Sequence, residues 1–528
     1  MSLPYKYNSL VIEDIPAKEG WKRVGIKHHH GIYLPLISLI TSESCGNGEF
    51  LDLIPLIDWL ASLGMDVLQL LPLNDSGKDP SPYNALSATA LHPIYLSLHA
   101  LPNQAEDLSP LKKFNGYNRV PYKEVLKNKL QFLKRYVAKE GIKISRSDAY
   151  QTFIKESPHL IDYALYKTVK EKHQDKEWFY WTNGQKKLSK SKRKSLENLY
   201  EKEMSFHLIV QYLCHCQLRQ VKKHANEKGV FLKGDIPILL SPDSADVWTH
   251  QELFDLSETA GSPPNRFDIT GQNWLFPLYN WKAIEENHFE WWRKRIEIAA
   301  RYFDIYRIDH ILGFFRIWAI PINGTPDQGH FVPDDPELMH VQGRKLLKAL
   351  ISFSSMLPIG EDLGDPPPFV YKTMQELGIP GIKIFRRYRH WKTDGSFIPY
   401  EDYTPLSISS ISTHDTETIR LWWEAFPEEA KAYAAFKNWD YHPTLSIEKH
   451  KEILRDNHHC GSLFHVNLLQ EYLALTPELT WENPKDELIN IPGTKSPFNW
   501  TYRYKSSVET ITSHAPLREM IASILSSK

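Results

Sequence analysis

The sequence is poor in cysteine, in net charge and in long apolar runs, and each shortage removes a class of protein. Cys45, Cys214, Cys216 and Cys460 are the only cysteines among 528 residues. They are too few for the disulfide framework of a secreted scaffold, so reduced thiols are expected. A formal net charge of −1 offers no field to gather phosphate backbones or anionic lipid, so neither nucleic acid nor membrane is expected as a partner. The basic run from Gly184 to Met204 is soon balanced by glutamates and reads as a solvated helix face. No window of about 18 residues is apolar and uncharged, and the opening MSLPYKYNSLVIEDIPAKEG carries acids where a signal peptide needs an apolar core. A cytoplasmic protein is expected.

Two further absences bear on cofactors. No glycine-rich phosphate loop of the G-x-G-x-x-G or G-x-x-x-x-G-K type follows a strand candidate, which argues against a nucleotide cofactor. Cys214 and Cys216 lie two apart in a helical pattern and so point to different faces, which makes a zinc site there improbable. The run His28 to His30 lacks helical partners and reads as a solvated loop or strand entrance. Neither cofactor nor metal is expected.

What is present is core-forming material: 42% hydrophobic residues, 12% aromatics and 16 tryptophans. Single cores stop growing near about 250 to 300 residues, so the chain is either a large decorated domain or several domains. Along it, amphipathic helices alternate with short apolar runs that end in polar turns. LIDWLASLG leads into MDVLQLLPL, FEWWRKRIEIAARYF into DIYRIDH, GRKLLKALISFSS into LPIGEDLGD and FVYKTMQELG into GIKIF. Repeated helix-strand units imply a parallel sheet covered on both faces or closed on itself. The expected fold is α/β, a (β/α)8 TIM-type barrel with inserted helical subdomains. Residues 1–528 form one catalytic domain in this reading, with helical insertions at roughly 100–205 and 424–480.

Three strand candidates end in a carboxylate: Asp309 after Ile305 to Ile308, Glu361 after Pro358 to Gly360, and Asp415 after Ser407 to Thr413. Acids delivered to the C-terminal ends of different barrel strands converge on one site. Taken singly, each reads equally well as a turn acid or helix cap; together, beside Arg307 and His414, they read as a site. Glycoside chemistry needs one carboxylate to attack the anomeric carbon and a second, with raised pKa, to protonate the departing oxygen. Arg307 is expected to keep Asp309 ionised, while a more enclosed Glu361 holds its proton. Tyr83, Gln272, Asn273 and Trp274 lie in Gly/Pro-bearing loops and supply the flat faces and amides that sugars need. Trp281 reads equally well as a loop anchor.

In order, the motifs LPLNDSGKDPSPYNALSA, KGDIPILLSPDSADVW, GSPPNRFDITGQNW, YRIDHILGFFRIWAIP, IGEDLGDPPP, LGIPGIKIF, STHD and IPGT with NW resemble those of the 4-alpha-glucanotransferase family, also called amylomaltase or disproportionating enzyme. The resemblance spans roughly residues 30 to 505. Its motifs are most similar to the plant cytosolic disproportionating type, without that type's carbohydrate-binding modules. It implies that Asp309 is the nucleophile, Glu361 the general acid/base and Asp415 a transition-state stabiliser. It also implies that Arg307 and His414 bind the sugar at the cleavage subsite, that Asp235 supports it, and that Tyr83, Gln272 and Trp274 line the glucan path. The implied partners are maltooligosaccharides, maltose or glycogen-like glucans, and no cofactor. Many bacterial relatives have Gly-Asn after the tryptophan of GQ.W, where this chain has Leu275 and Phe276. The loop around Asn265 to Phe267 is expected to close over the site and exclude water. Three alternatives stay open: an alpha-glucan hydrolase using the same carboxylates, a catalytically silent glucan-binding protein, and a metal-dependent hydrolase built on the DH, ED and HD pairs.

Overall fold

The computed structural model describes residues 14–265, 268–364 and 366–526. Twelve strands run along it. In chain order they are β1 (His29–Leu34), β2 (Val67–Leu70), β3 (Phe231–Ile236), β4 (Phe254–Ser262), β5 (Gln272–Tyr279) and β6 (Ile305–Ile308). These are followed by β7 (Ile317–Pro321), β8 (His330–Val332), β9 (Leu357–Gly360), β10 (Gly381–Ile384), β11 (Ser407–Ser410) and β12 (Phe464–Leu468).

Eight of these strands close into a parallel barrel in the order β1-β12-β11-β10-β9-β6-β3-β2, the fold the sequence predicts. Four- to six-residue strands with both faces covered need continuous apolar runs, and β2 (VLQL) and β6 (IYRI) are buried at every position. The helix Glu290–Ala299 that precedes β6 turns Trp291, Trp292, Ile296 and Ile298 inward and covers the barrel with one apolar stripe.

The segment from 100 to 205 contains no strand among its described residues; its long elements are the helices Tyr122–Ser145, Asp148–Glu156, His159–Lys172 and Lys190–Leu199. A 27-residue helix, Glu201–Glu227, then leads back into β3. The segment from 424 to 480 holds the helices Pro427–Phe436 and Ile447–His458, and it also contains β12, the strand that completes the barrel. It is therefore not helical throughout. The sequence obscures β12 because His465 and Asn467, both fully buried, break its apolar run.

A second sheet was not expected. β4, β5, β7 and β8 form an antiparallel sheet in the order β5-β4-β7-β8, contributed by the connections after β3 and after β6. Of the two readings of the HHH run, the strand entrance holds: His29 and His30 open β1, with His28 and His30 half-buried and His29 fully buried, its Nδ1 2.9 Å from Asp66 Oδ2. His28 Nδ1 lies 2.9 Å from His465 Nε2, and His30 Nδ1 lies 2.9 Å from His458 Nδ1. This histidine cluster packs between β1, β12 and the helix Ile447–His458 on the outside of the barrel. Cys214 is buried and Cys216 exposed on one helix. Among the described residues, no group of three or more His, Cys, Asp or Glu is arranged to hold a metal ion, and no helix is long and apolar enough to cross a membrane.

Candidate active site

Register builds the site. β3 pairs with β6 so that Asp235 lies beside Arg307 and Ile236 beside Ile308, and β6 pairs with β9 so that Ile308 lies beside Gly360. Asp309 and Glu361 are each the next residue along, so adjacent strands deliver two carboxylates side by side at the C-terminal rim. Arg307 points into the barrel and joins them. Its Nη1 is 2.8 Å from Asp309 Oδ1 and 2.9 Å from Asp235 Oδ2, and its Nη2 is 4.0 Å from Glu361 Oε2.

Glu361 is also held by the backbone. The amide of His310 donates to Oε2 at 2.9 Å and that of Leu363 to Oε1 at 3.0 Å. His310 aims its amide this way from the left-handed region, with φ 47°. This conformation is uncommon for any residue but glycine, and such residues concentrate at functional sites.

Asp415 follows β11 and has different partners. His414 Nε2 donates to its Oδ2 at 3.1 Å and Asn490 Nδ2 to its Oδ1 at 2.7 Å. The Tyr33 hydroxyl accepts from the backbone amide of His414 and lies 2.8 Å from its Nδ1. An ionised Asp415 can only accept, so Nε2 carries a proton, and Nδ1 of the neutral ring accepts from the Tyr33 hydroxyl.

These surroundings separate the three acids. Burial pushes Asp309 up to about 6, an effect that Arg307 opposes and that Asp235 and Glu361 reinforce. Arg307 therefore limits the rise but does not cancel it, which is less protection than the sequence suggests. Burial also raises Glu361, against Arg307 and the two backbone amides. Asp415 feels burial too, but His414, Asn490 and Arg307 bring it down to about 2. Burial thus raises two carboxyls of this cluster above their usual range, while the third is held as an anion.

The three acids open into one cleft of about 2670 Å³, lined also by Tyr83, Gln272, Trp274, Arg307 and His414. Asp235 does not line it; it sits behind Arg307, where the Tyr83 hydroxyl donates to its Oδ2 at 2.8 Å. The Tyr83 ring stacks on His414 at 5.3 Å and meets Trp500 at 5.5 Å. Trp274 donates from Nε1 to Gln272 Oε1 at 3.0 Å and sets its ring edge-on to His310 at 5.0 Å. Asp309, Glu361, Asp415, Arg307, His414, Tyr83, Gln272 and Trp274 therefore line the cleft, and Asp235 lies directly behind it. Trp281 does not line it; it packs on Tyr279, Trp292 and Phe314 as a core anchor. Of the loop expected to close over the site, Arg266 and Phe267 lie outside the described residues.

Sequence reasoning missed Tyr33, Asn490 and the ring of Trp500. Tyr33 sits near the C-terminal end of β1, the position where a barrel residue reads as functional, but β1 was hidden by its histidines. Asn490 directly precedes the IPGT motif.

A closed parallel barrel whose cleft opens at the C-terminal rim defines the class: a (β/α)8 barrel enzyme. Comparison with known proteins narrows this. A family model described as 4-alpha-glucanotransferase matches residues 34–509. A 4-alpha-glucanotransferase of Chlamydia muridarum is 41% identical over 97% of this chain and 98% of that protein. The 4-alpha-glucanotransferase DPE2 of Oryza sativa subsp. japonica is 27% identical over 94% of this chain and 69% of that protein. The solved amylomaltase of Streptococcus agalactiae, in complex with acarbose, shares the fold with a TM-score of 0.78 at 24% identity, covering 94% of this chain and 98% of that one. The chain belongs to the 4-alpha-glucanotransferase family, transferases that act on glucans.

Proposed function

We propose that the protein moves glucosyl or 1,4-alpha-glucan segments between maltooligosaccharides, maltose or glycogen-like glucans by a retaining double displacement, inside the cytoplasm and without a cofactor. In this reading residues 1–528 are one catalytic unit on which the two helix-rich segments are insertions. The observation that carries the mechanism is the sharing of Arg307 by Asp309 and Glu361 at adjacent strand ends.

Asp309, ionised at neutral pH, attacks the anomeric carbon and forms a glycosyl ester as the bond to the departing 4-oxygen breaks. Glu361 gives its proton to that oxygen. The 4-hydroxyl of an acceptor sugar then attacks the same carbon, Glu361 takes its proton, and Asp309 leaves as carboxylate. Two inversions retain the α configuration. Asp415, already an anion, offsets the positive charge that develops on the sugar ring. His414 and Arg307 bind the sugar at the cleavage point, Asp235 fixes Arg307 from behind, and Tyr83, Gln272 and Trp274 line the glucan path.

Incubation of the pure protein with maltotriose tests this reading. Transfer yields a ladder of longer oligosaccharides together with glucose. Shorter products alone would replace it with an alpha-glucan hydrolase using the same carboxylates.

A further inference from the structure

One residue in the cleft breaks two rules at once. Leu275 adopts φ 62°, in the left-handed region, and leaves 53% of its surface exposed. A side chain in that conformation is strained, and an exposed leucine recovers nothing by burial. It lines the same cleft as the three acids.

The local structure places Leu275 there by a specific device. β4 and β5 pair Ala260 with Phe276 and Gly261 with Asn273, so Trp274 and Leu275 have no partner across the ladder and bulge out of it. Bulges re-aim side chains beside active sites. Three neighbours fix this one: Asn273 Oδ1 accepts from the Leu275 amide at 3.0 Å, the Thr259 hydroxyl donates to the same oxygen at 3.0 Å, and Gln272 holds the Trp274 indole. The outcome is an indole and a leucine side by side on the cleft wall, one half-buried and one open.

Their neighbours indicate which sugar they meet. Trp274 packs against His310, and the His310 amide holds Glu361. Glu361 is the group that exchanges a proton with the departing and incoming 4-oxygens, so this wall borders the sugars on the acceptor side of the cleaved bond. Tyr83, Trp500 and His414 gather instead around Asp415.

We propose that Leu275 determines acceptor specificity, packing its exposed side chain against the apolar face of an incoming glucosyl unit next to Trp274. This assignment rests on the transfer reading above. Binding supplies the burial that the free protein lacks, which is the compensation a strained, exposed leucine needs.

The test uses α-maltosyl fluoride as donor, because fluoride places no sugar on the acceptor side, and glucose or maltose as acceptor. In Leu275→Gly the acceptor KM rises about threefold to tenfold, and Leu275→Met restores it. The thermal midpoint of Leu275→Gly does not fall, because glycine suits a positive φ. An acceptor KM unchanged in Leu275→Gly overturns the proposal, as does an equal loss in fluoride release without acceptor, which would mark a general disturbance of the site. If the unaltered protein released fluoride but formed no transfer product, the transfer reading and the acceptor assignment would both fall. Normal transfer with an indifferent Leu275 removes the assignment alone.

Discussion

Asp235 and Asp309 are bound by a single nitrogen, Arg307 Nη1, at 2.9 Å and 2.8 Å. One carboxylate lies behind the guanidinium and the other faces the cleft, so the arginine neutralises the first while remaining committed to the second. Two anions held on one cation account for a burial-raised Asp309 that still ionises below neutrality.

That balance sets a pH dependence. Asp309 has a folded pKa of about 6, raised from its usual value, and it must be ionised to attack. The acidic limb of kcat/KM is therefore expected near pH 6. Asp235→Asn removes one of the charges that raises Asp309, so the limb should move to lower pH. A profile for the unaltered protein flat down to pH 4.5 would take Asp309 out of the nucleophile's role.

Replacing the acids separately distinguishes their tasks. Asp309→Asn, Glu361→Gln and Asp415→Asn keep shape and remove charge, and each should lower kcat by roughly 10²-fold or more. Only Glu361→Gln should respond to the donor's leaving group. With a glycosyl fluoride, which needs no proton, the formation of the glycosyl-enzyme should recover while transfer stays slow. Equal loss with fluoride and with maltotriose would contradict Glu361 as the proton donor.

The helix His159–Lys172 supports the site from a distance. Asp75, fully buried, binds Lys167 at 2.9 Å and the Tyr163 hydroxyl at 2.7 Å, both on the helix His159–Lys172. Its backbone and side chain also tie down Leu86 and Gly77, on either side of Tyr83. Burial works against the Asp75 carboxylate, but Lys167 and His92 hold it well below the usual range. Lys167→Met strands that charge and should cost about 3 kcal/mol or more, read as a lower urea midpoint, with a raised KM for maltotriose as the Tyr83 loop loosens. The double change Asp75→Asn with Lys167→Met should recover part of the stability.

The histidine cluster predicts acid sensitivity of the fold. Burial lowers His30 to about 4, aided by its histidine neighbours and opposed by Asp66, and burial takes His458 and His465 well below 6.5. Their folded pKa values lie below the unfolded one, so below about pH 6.5 the unfolded chain binds more protons. Stability is complete above that pH and is lost as pH falls from there toward 4. Urea midpoints at pH 7 and pH 5 measure the slope, and His30→Phe should flatten it. An unchanged slope would assign the acid sensitivity to other groups.

The chain declares its catalytic strands more readily than its closing ones. β3, β6, β9 and β11 were legible because an apolar run ending in a charged residue is what a barrel strand with a functional tip looks like. β1 and β12 were not, because they turn histidine and asparagine outward onto the helix Ile447–His458 and satisfy them there, with Asn467 donating to Asn457 and His465 bonding the Asn457 carbonyl. Paired polar groups inside a core have the same composition as a loop. The antiparallel sheet escaped for another reason: its strands run 254 to 332 around β6 and carry half-exposed residues, so no continuous apolar period marks them. Asp309, Glu361 and Asp415 were visible as chemistry, whereas Tyr33 and Asn490, which orient them, are ordinary residues until the fold brings them near.

Closure by β12 also dictates an order of events during synthesis. β1 leaves the ribosome early, but its partner β12 emerges only after residue 463, with Asn490 and Trp500 later still. At about 5 to 20 residues per second, the β1 edge waits roughly 20 to 90 seconds without its β12 neighbour, whereas the β11 edge waits only about 3 to 10 seconds, and unpaired strands invite pairing with other chains. The histidines that hide β1 from sequence reading also make its waiting edge less sticky than valine and isoleucine would. A nascent chain stalled before β12 would be an open sheet with half a site, and the cell would have to shelter it.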